Sequence, residues 1–433
     1  MEKQKQKIVF YFRKNVLAKG DFALYYCVAN EIAENFDIDV FCVNNSYKEI
    51  QQEYLDSKIN FCDLNESNLK DFEGAYFVTA YNQLFFLLEE IESIKSAKIL
   101  LLFLHPQITN WMNNQLPKNA NVKSIYKLLR EKNAYGFMDC ANLFALEKRT
   151  NICFEKRYFP VVFDDKHVSQ HVDACDVVSD DEINIGWFGR LDADKIYSLL
   201  NVLDNLLEEG ICNVNFHLIG DGNAKKLINV NKYAPNIKIV FNSFMFGEER
   251  DSYLRSNVDM VVAMGISALD VALLSIPTVI PIVSSQRIRD DKLAYIFDAN
   301  DYCLGWNVTD VDAATKKTYG IKQIIGDLQC GRKKELGEKC YDYVQSTFNV
   351  KEHSLDLVKL ITSTNLTVVD CLANATIANQ LRKFRLYKRL RGANRGYNDY
   401  LSFRVKLARF KEMKFASQVK FALNKLLKIR ITK

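Results

Sequence analysis

Two segments in the second half of the chain place charged side chains directly after strands that the sequence predicts to be buried. The first segment reads INIGWFGRLDADK from Ile183 to Lys195, with Gly189 and Arg190 at the end of the predicted strand. Arginine offers a planar fork of donors and lysine a compact charge, and both suit phosphate oxygens. Because glycine lets a ligand approach the backbone closely, Gly189, Arg190 and Lys195 are candidates to bind phosphate. The alternative is that both charges are simply solvated.

The second segment, MGISALD from Met264 to Asp270, joins a predicted strand to a helix through small residues. Backbone N–H groups at such a helix start favour an anion. Ser267 could donate its hydroxyl to phosphate, and Asp270 could accept hydrogen bonds from ribose hydroxyls. The alternative is that Ser267 and Asp270 only cap the helix. Together the two segments place an Arg, a Lys and a carboxylate where a sugar nucleotide could be held.

Alternating strands and helices must position these residues, and apolar runs between polar turns predict two series of strands. The predicted strands are Ile8–Phe12, Ile38–Val43, Tyr76–Tyr81, Lys98–Leu104, Asn133–Asp139 and Glu155–Val162 in the first series, and Ile183–Phe188, Asn215–Ile219, Lys238–Phe241, Met260–Met264, Thr278–Pro281 and Tyr302–Leu304 in the second. Strands that alternate with helices indicate α/β domains with parallel sheets. Two doubly wound domains of this kind bind ligand in the cleft between them, outside the carboxyl ends of the strands.

The predicted organisation has five parts. Residues 1–163 form an N-terminal Rossmann-like domain, and residues 164–182, which are polar and acidic, form a linker. Residues 183–350 form the second Rossmann-like domain, which carries both chemistry-bearing segments. Residues 351–380 form a closing helical segment, and residues 381–433 form a basic amphipathic helical tail. A length of 433 residues fits two domains with an appendage.

The tail concentrates the positive charge of the chain. Residues 382–433 contain 17 Lys and Arg against 2 Asp and Glu, whereas the whole chain has a net charge of +5. Apolar and aromatic residues lie among these charges at roughly helical spacing, which predicts docking on an anionic membrane surface. A helical extension packed on the protein itself or on a second subunit is one alternative, and nucleic-acid binding is another.

Composition favours a cytoplasmic protein on the inner face of the membrane. The eleven cysteines include no CxxC pair, which fits reduced thiols better than a disulfide framework. The basic N-terminus lacks a cleavage site for a signal peptide. The apolar block from Ile99 to Leu104 is too short to span a bilayer.

The combination of motifs resembles the donor domain of GT-B glycosyltransferases, in particular the retaining family 4, also called glycosyl transferases group 1. The likeness rests on GRLDADK (Gly189 to Lys195), on GDG (Gly220 to Gly222) after a strand, and on the strand–turn–helix segment that ends LSIPTVIP at Pro281. It covers about a quarter of the chain strongly. The resemblance implies a GT-B fold and a site for a nucleoside-diphosphate sugar, with no cofactor and no bound metal.

The resemblance also implies roles for single residues. Arg190 and Lys195 match the pair that binds the donor diphosphate and offsets the charge of the leaving group. Asp270 matches the second acid of the family's E-x7-E motif, which usually holds the ribose. Four residues match the turn that lies against phosphate and sugar: Gly265, Ile266, Ser267 and Ala268.

The chain departs from the family pattern at three positions. Val262 stands where the first acid of the motif is common, Asp270 replaces a glutamate, and Ile196 replaces the glycine that usually follows the lysine. Two further candidates lie elsewhere. His105, at the carboxyl end of a predicted strand, could contact the transferred sugar or the acceptor, with a structural histidine as the alternative. The loop that ends at Phe244 would contact the base.

Two sequence patterns suggest a metal site as an alternative. Asp192-Ala-Asp194 is a DxD after a strand, the pattern by which another transferase fold binds a divalent cation. His167, His171 and Cys175 have a spacing that could share one helix face and bind zinc. The neighbouring arginine argues against the first, and the acidic linker around the second argues against zinc.

The predicted function is a glycosyltransferase that acts in the biosynthesis of a bacterial surface polysaccharide. Its partners would be a nucleotide-sugar donor, a saccharide or lipid-linked acceptor and an anionic membrane, without nucleic acid, and a homo-oligomer stays open. The three departures favour one alternative, a non-catalytic GT-B scaffold for another transferase. A second alternative is an epimerase of GT-B form.

Overall fold

The computed structural model describes residues 5–12, 19–43, 58–106, 121–164, 182–193, 195–242, 245, 247–289 and 292–391. This part of the chain contains two six-stranded sheets. None of the helices in these ranges is long and apolar enough to cross a membrane. The cysteines in these ranges are free thiols.

The first sheet is built of short apolar strands, because parallel strands covered on both faces bury both sets of side chains. Its strands are β1 (Gln6–Tyr11), β2 (Ile38–Val43), β3 (Asn60–Cys62), β4 (Tyr76–Ala80), β5 (Lys98–Phe103) and β6 (Tyr135–Phe137). The helices between them are α1 (Lys19–Asn35), α2 (Leu84–Ile91), α3 (Val122–Glu131) and α4 (Cys140–Thr150). The order is β3-β2-β1-β4-β5-β6, and every neighbouring pair is parallel.

The second sheet repeats this arrangement. Its strands are β7 (Ile183–Phe188), β8 (Val214–Ile219), β9 (Ile237–Asn242), β10 (Met260–Ala263), β11 (Thr278–Ile280) and β12 (Ala294–Tyr295). Its helices are α5 (Ile196–Glu208), α6 (Val230–Tyr233), α7 (Gly247–Asn257), α8 (Ile266–Ala272), α9 (Val311–Ala314), α10 (Ile321–Asp327) and α11 (Lys333–Phe348). The order is β9-β8-β7-β10-β11-β12, parallel except for the last pair. Both sheets therefore start in the middle, wind to one edge and cross to the other, as doubly wound folds do.

The predicted strands are confirmed where an apolar run is bounded by turn residues. Those at Ile38–Val43 and Ile183–Phe188 are confirmed to the residue. The strand predicted at Tyr302–Leu304 is wrong, because positive φ angles of 45° and 64° at Asp301 and Tyr302 interrupt an extended path there. The strand predicted at Glu155–Val162 is also wrong, since that segment forms only an isolated bridge through Tyr158.

Three helices after residue 349 return to the first sheet: α12 (Val350–Thr362), α13 (Val368–Ala373) and α14 (Ala375–Arg391). Leu357, Ile361 and Leu381 lie in the hydrophobic cluster that covers the first sheet. The Phe384 ring packs edge-on against Phe86 of α2 at 5.1 Å. The tail boundary predicted at residue 381 thus falls inside α14. The rest of the predicted tail, residues 392–433, and linker residues 165–181 lie outside the described residues.

Candidate functional site

The predicted phosphate-binding residues lie at the carboxyl edge of the second sheet, beside its two central strands. β7 and β10 are parallel neighbours, and Gly189 follows the first of them while Gly265 lies just beyond the second. Residues of α5 and α8 belong to different hydrophobic clusters, so the two helices cover opposite faces of the sheet. This is the switch point of the topology, where diverging helices open the crevice in which doubly wound folds bind ligands.

Several side chains converge on the backbone of Gly189, which is buried and has a φ of 150°. A Cβ atom built on this glycine would lie 3.8 Å from Lys195 Nζ, 3.9 Å from Ser267 Oγ and 3.9 Å from Trp187 Nε1. All three atoms can donate hydrogen bonds. Because glycine has no Cβ, no side chain separates these three donors from the backbone, and a ligand oxygen can approach the backbone closely there. The structure therefore brings the side chains of Lys195 and Ser267 together beside Gly189, where their donors could bind a phosphate oxygen.

The GDG segment supports this loop through close backbone packing. Gly220 has a φ of 146°, and a Cβ on it would lie 2.2 Å from the carbonyl oxygen of Gly189. A Cβ on Gly222 would lie 2.4 Å from the Leu191 backbone. The Leu191 N–H also donates to the Asp221 carbonyl at 2.9 Å. Both glycines are needed so that the loop after β8 can lie directly against the loop after β7.

Arg190 lies at the exposed rim of the site. Its side chain is 59% exposed, and its Nη1 lies 2.9 Å from Asp192 Oδ2. The Asp192 carbonyl accepts the backbone N–H groups of Lys195 and Ile196 at the start of α5. Asp192, the first acid of the DxD pattern, is thus engaged within the loop, while Asp194 lies outside the described residues. In the described ranges no group of three or more His, Cys, Asp or Glu side chains could hold a metal.

The turn at Gly265 starts α8 without a side-chain cap. Gly265 is the N-cap residue, with a φ of 64°, and its N–H donates to the Leu304 carbonyl at 2.9 Å. The alternative that Ser267 caps this helix is therefore wrong, and its hydroxyl lies beside Gly189 instead. Ala268 is fully buried, so only its backbone could contact a ligand, whereas Ile266 is exposed.

Asp270 pairs with an arginine that the sequence analysis did not single out. Arg250 of α7 places Nη1 3.2 Å from Asp270 Oδ2 and Nη2 2.6 Å from Asp251 Oδ1. Its guanidinium lies 5.6 Å from the ring centre of Phe188, the last residue of β7. Burial raises the pKa of Asp270, and the charge of Arg250 opposes that shift. No local pattern could reveal this pair, because its members are 20 residues apart on different helices.

Two departures from the family pattern turn out to be core positions. Val262 is fully buried inside β10, between β7 and β11. A carboxylate at this position would be buried among apolar side chains, so the position is structural in this chain. Ile196 is likewise fully buried, as the first residue of α5.

Two further candidates, His105 and Phe244, stay predictions. His105 is exposed just beyond the end of β5, at the carboxyl edge of the first sheet. Its contact with sugar or acceptor stays a prediction. Phe244 lies outside the described residues, as do the three residues of the zinc pattern, His167, His171 and Cys175.

No protein-family model and no curated protein sequence matches this chain. Solved structures do match it. Anabaena HepE in complex with UDP-glucose is 11% identical, with a TM-score of 0.51 over 82% of this chain and 99% of that one. The lipopolysaccharide outer core galactosyltransferase WaaB is 11% identical, with a TM-score of 0.52 over 83% and 99%. A glycosyltransferase from Rickettsia africae is 12% identical, with a TM-score of 0.52 over 83% and 98%.

The chain has the GT-B fold. At 11–12% identity the likeness concerns the fold, and the chemistry has to be argued from the site itself. In this GT-B chain one cation and two neutral donors lie close together beside the backbone of Gly189. A second cation, Arg190, stands at the rim. Such a set binds an oxyanion and stabilises negative charge that develops on it.

Proposed function

We propose that this protein is a glycosyltransferase that moves a sugar from a nucleoside-diphosphate sugar to a saccharide or lipid-linked saccharide acceptor. The observation that carries the proposal is the convergence of Lys195 Nζ and Ser267 Oγ over Gly189, at the switch point of the second sheet. HepE, which shares the fold, was solved in complex with UDP-glucose. UDP and UDP-glucose are therefore the first ligands to test.

In the proposed mechanism the protein stabilises the departing nucleoside diphosphate. Departure places negative charge on the phosphate, and Lys195 and Arg190 offset that charge together with the positive end of the α5 dipole. This charge stabilisation requires no bound metal. The transfer retains the configuration of the sugar, with attack from the face that the leaving phosphate vacates. That phosphate accepts the proton of the acceptor hydroxyl, and His105 contacts the sugar or the acceptor from the first domain.

The remaining residues of the turn would hold the rest of the donor. Asp270, paired with Arg250, accepts hydrogen bonds from the ribose hydroxyls. Gly265 and Ile266 lie against the sugar and phosphate. The scaffold alternative rests on Val262, Ile196 and Asp270, and in this chain Val262 and Ile196 pack in the hydrophobic core.

A matched pair of lysine variants tests the proposed site. Lys195→Ala removes a charge-assisted hydrogen bond, so we expect UDP to bind about 10–100-fold more weakly by calorimetry, with a parallel loss of sugar transfer. Lys322→Ala removes an exposed lysine of α10 and should change neither quantity. Near-wild-type binding and turnover in Lys195→Ala would contradict the diphosphate site.

A donor panel separates the enzyme from a scaffold. A transferase hydrolyses its own nucleotide sugar slowly when the acceptor is absent, whereas a scaffold neither binds nor cleaves any of them. An epimerase would instead release a stable free sugar of changed configuration. We expect slow hydrolysis with one nucleotide sugar and undiminished activity in the presence of a chelator.

We further propose that the enzyme works at the inner face of the cytoplasmic membrane in surface polysaccharide biosynthesis. The support is the charge of residues 382–433, with 17 basic against 2 acidic residues. Each basic residue near an anionic surface contributes about 1 kcal/mol to binding. Full-length protein should float with liposomes that contain phosphatidylglycerol and remain unbound to purely zwitterionic ones. A chain that ends at Arg391 should lose this flotation, and equal flotation of both chains would refute the docking role of the tail.

A further inference from the structure

Trp187 of β7 carries a buried donor without a partner. Its side chain is 1% exposed, and its indole Nε1 has no hydrogen-bond partner among the described residues. Buried polar groups are nearly always paired, because an unpaired donor loses its hydrogen bonds to water without replacement. Such a group in a native structure calls for an explanation, and a ligand that completes the bond is one.

The position of this donor points to the ligand. Trp187 Nε1 lies 3.9 Å from the position that a Cβ atom on Gly189 would take, and Lys195 Nζ and Ser267 Oγ lie 3.8 and 3.9 Å from the same position. The three side-chain atoms nearest to this position are all hydrogen-bond donors. A group with several acceptor oxygens and negative charge satisfies them together, and a phosphate is such a group.

The strand fixes the indole in this position. Alternation along β7 places Trp187 in the cluster that contains α5, and Phe188 in the cluster on the opposite face. The ring is held among apolar residues of the core, so the donor is oriented before a ligand arrives. A preoriented donor costs little conformational entropy on binding.

We propose that the indole N–H of Trp187 donates a hydrogen bond to a phosphate oxygen of the nucleoside diphosphate, and that Lys195 and Ser267 donate to the same phosphate. The proposal rests on the function proposed above and adds a third side chain to the diphosphate site. Trp187 touches the substrate in this arrangement. It orients the phosphate that leaves with the nucleoside diphosphate.

Trp306 provides a matched control inside the same domain. It is also 1% exposed with an unpaired indole Nε1, but it belongs to the hydrophobic cluster on the other face of the sheet. The chain has only three tryptophans, Trp111, Trp187 and Trp306, so a protein labelled with ¹⁵N-tryptophan shows few indole signals. Comparison with the spectra of the Trp187→Phe and Trp306→Phe variants assigns these indole signals.

The first experiment follows these indole signals during titration of the wild-type protein with UDP, pyrophosphate and uridine. We expect UDP and pyrophosphate to move the Trp187 N–H proton downfield, as a new hydrogen bond to phosphate requires, while uridine leaves it in place. The Trp306 signal should not shift downfield. Binding of UDP by calorimetry without any shift at Trp187 would overturn this proposal and leave the proposed function standing. A wild-type protein that binds no nucleoside diphosphate and no pyrophosphate would overturn both.

The second experiment measures affinity. Trp187→Phe should weaken the binding of UDP and of pyrophosphate about tenfold, whereas Trp306→Phe should leave both affinities unchanged. If Trp187→Phe does not fold, benzothienylalanine at this position keeps the shape of the ring and replaces the N–H with sulfur. The same tenfold loss is expected, and unchanged affinity for pyrophosphate would contradict the hydrogen bond.

Discussion

At the scale of single residues, the decisive feature of the site is the missing side chain at Gly189. The sequence analysis selected this glycine because it allows close approach of a ligand. In the structure the position that its Cβ would take is bordered by Lys195, Ser267 and Trp187. The basic residues divide into two roles, since Lys195 lies over this position whereas Arg190 stands at the rim in contact with Asp192.

Gly189→Ala should separate ligand binding from folding. Its Cβ would meet no atom closer than 3.8 Å, so the change costs mainly the strain of a positive φ, about 1–3 kcal/mol. The methyl group would nevertheless stand between the backbone and the three donors and hinder the approach of a phosphate oxygen, so we expect UDP affinity to fall at least tenfold in calorimetry. Gly74→Ala, at a φ of 73° with nothing within 4 Å, carries similar strain outside the site. It should lose stability while the second domain is unchanged. Comparable UDP binding by both variants would argue against the proposed site.

At the scale of elements, two loops and two helix starts form the site together. The loop after β8 packs its glycines onto the backbone of the loop after β7, which fixes where α5 begins. α8 follows β10, the strand beside β7, and brings Ser267 close to Gly189. Arg250, on a third helix, joins Asp270 to Asp251. The GDG motif therefore acts through packing between loops rather than through side chains that bind the ligand.

A pair of glycine variants tests that packing role. A Cβ on Gly220 would lie 2.2 Å from the Gly189 carbonyl oxygen, and its φ of 146° also disfavours alanine. We expect Gly220→Ala to lower the free energy of unfolding by about 3 kcal/mol or more in urea denaturation. Gly326→Ala lies inside α10 with nothing within 4 Å, so it should raise that free energy by up to about 1 kcal/mol. A stable Gly220→Ala protein would show that the two loops can separate.

At the scale of the whole molecule, contacts between the two halves hold Asp139 in a buried position. Asp139 follows β6 and caps α4, and the next residue, Cys140, donates its N–H to the Asp301 carbonyl of the second domain at 3.1 Å. Asp139 is only 5% exposed, and burial raises the pKa of its carboxyl group to about 6. Residues after Phe348 then run back to the first sheet, so both ends of the described chain belong to the first domain.

The raised pKa of Asp139 predicts a specific pH dependence of stability. Below about pH 4 the carboxyl group is protonated in both the folded and the unfolded chain. Between about pH 4 and 6 the unfolded chain ionises while the folded chain keeps its proton, so the free energy of unfolding falls as pH rises, by about 3 kcal/mol in all. Asp139→Asn does not titrate and keeps the cap, because both hydrogen bonds from Asn142 end on Oδ1. In urea unfolding, the free energy of unfolding of the variant should therefore rise relative to that of the wild type across this window. A difference between the two proteins that stays constant from pH 4 to 8 would refute the raised pKa of Asp139.

The sequence by itself determined the double α/β alternation and singled out residues that the structure brings together at the proposed phosphate site. Strands buried on both faces are continuous apolar runs between turn residues, so Ile183–Phe188 could be read directly. Gly189, Lys195 and Ser267 stand at strand and helix ends, where polar side chains point to binding. The edge strand Ala294–Tyr295 escaped prediction, because a two-residue strand has no periodicity.

Only the tertiary structure decided which residues meet. Trp187 is indistinguishable from any core aromatic on a buried strand until its N–H, Lys195 and Ser267 are all found beside Gly189. The Arg250–Asp270 pair and the return of α12 to α14 onto the first sheet join residues far apart in the chain. The full burial of Val262 likewise depends on how its strand packs between two neighbouring strands. Local propensity fixes the elements, but contacts between distant residues depend on how those elements pack, and the site is made of such contacts.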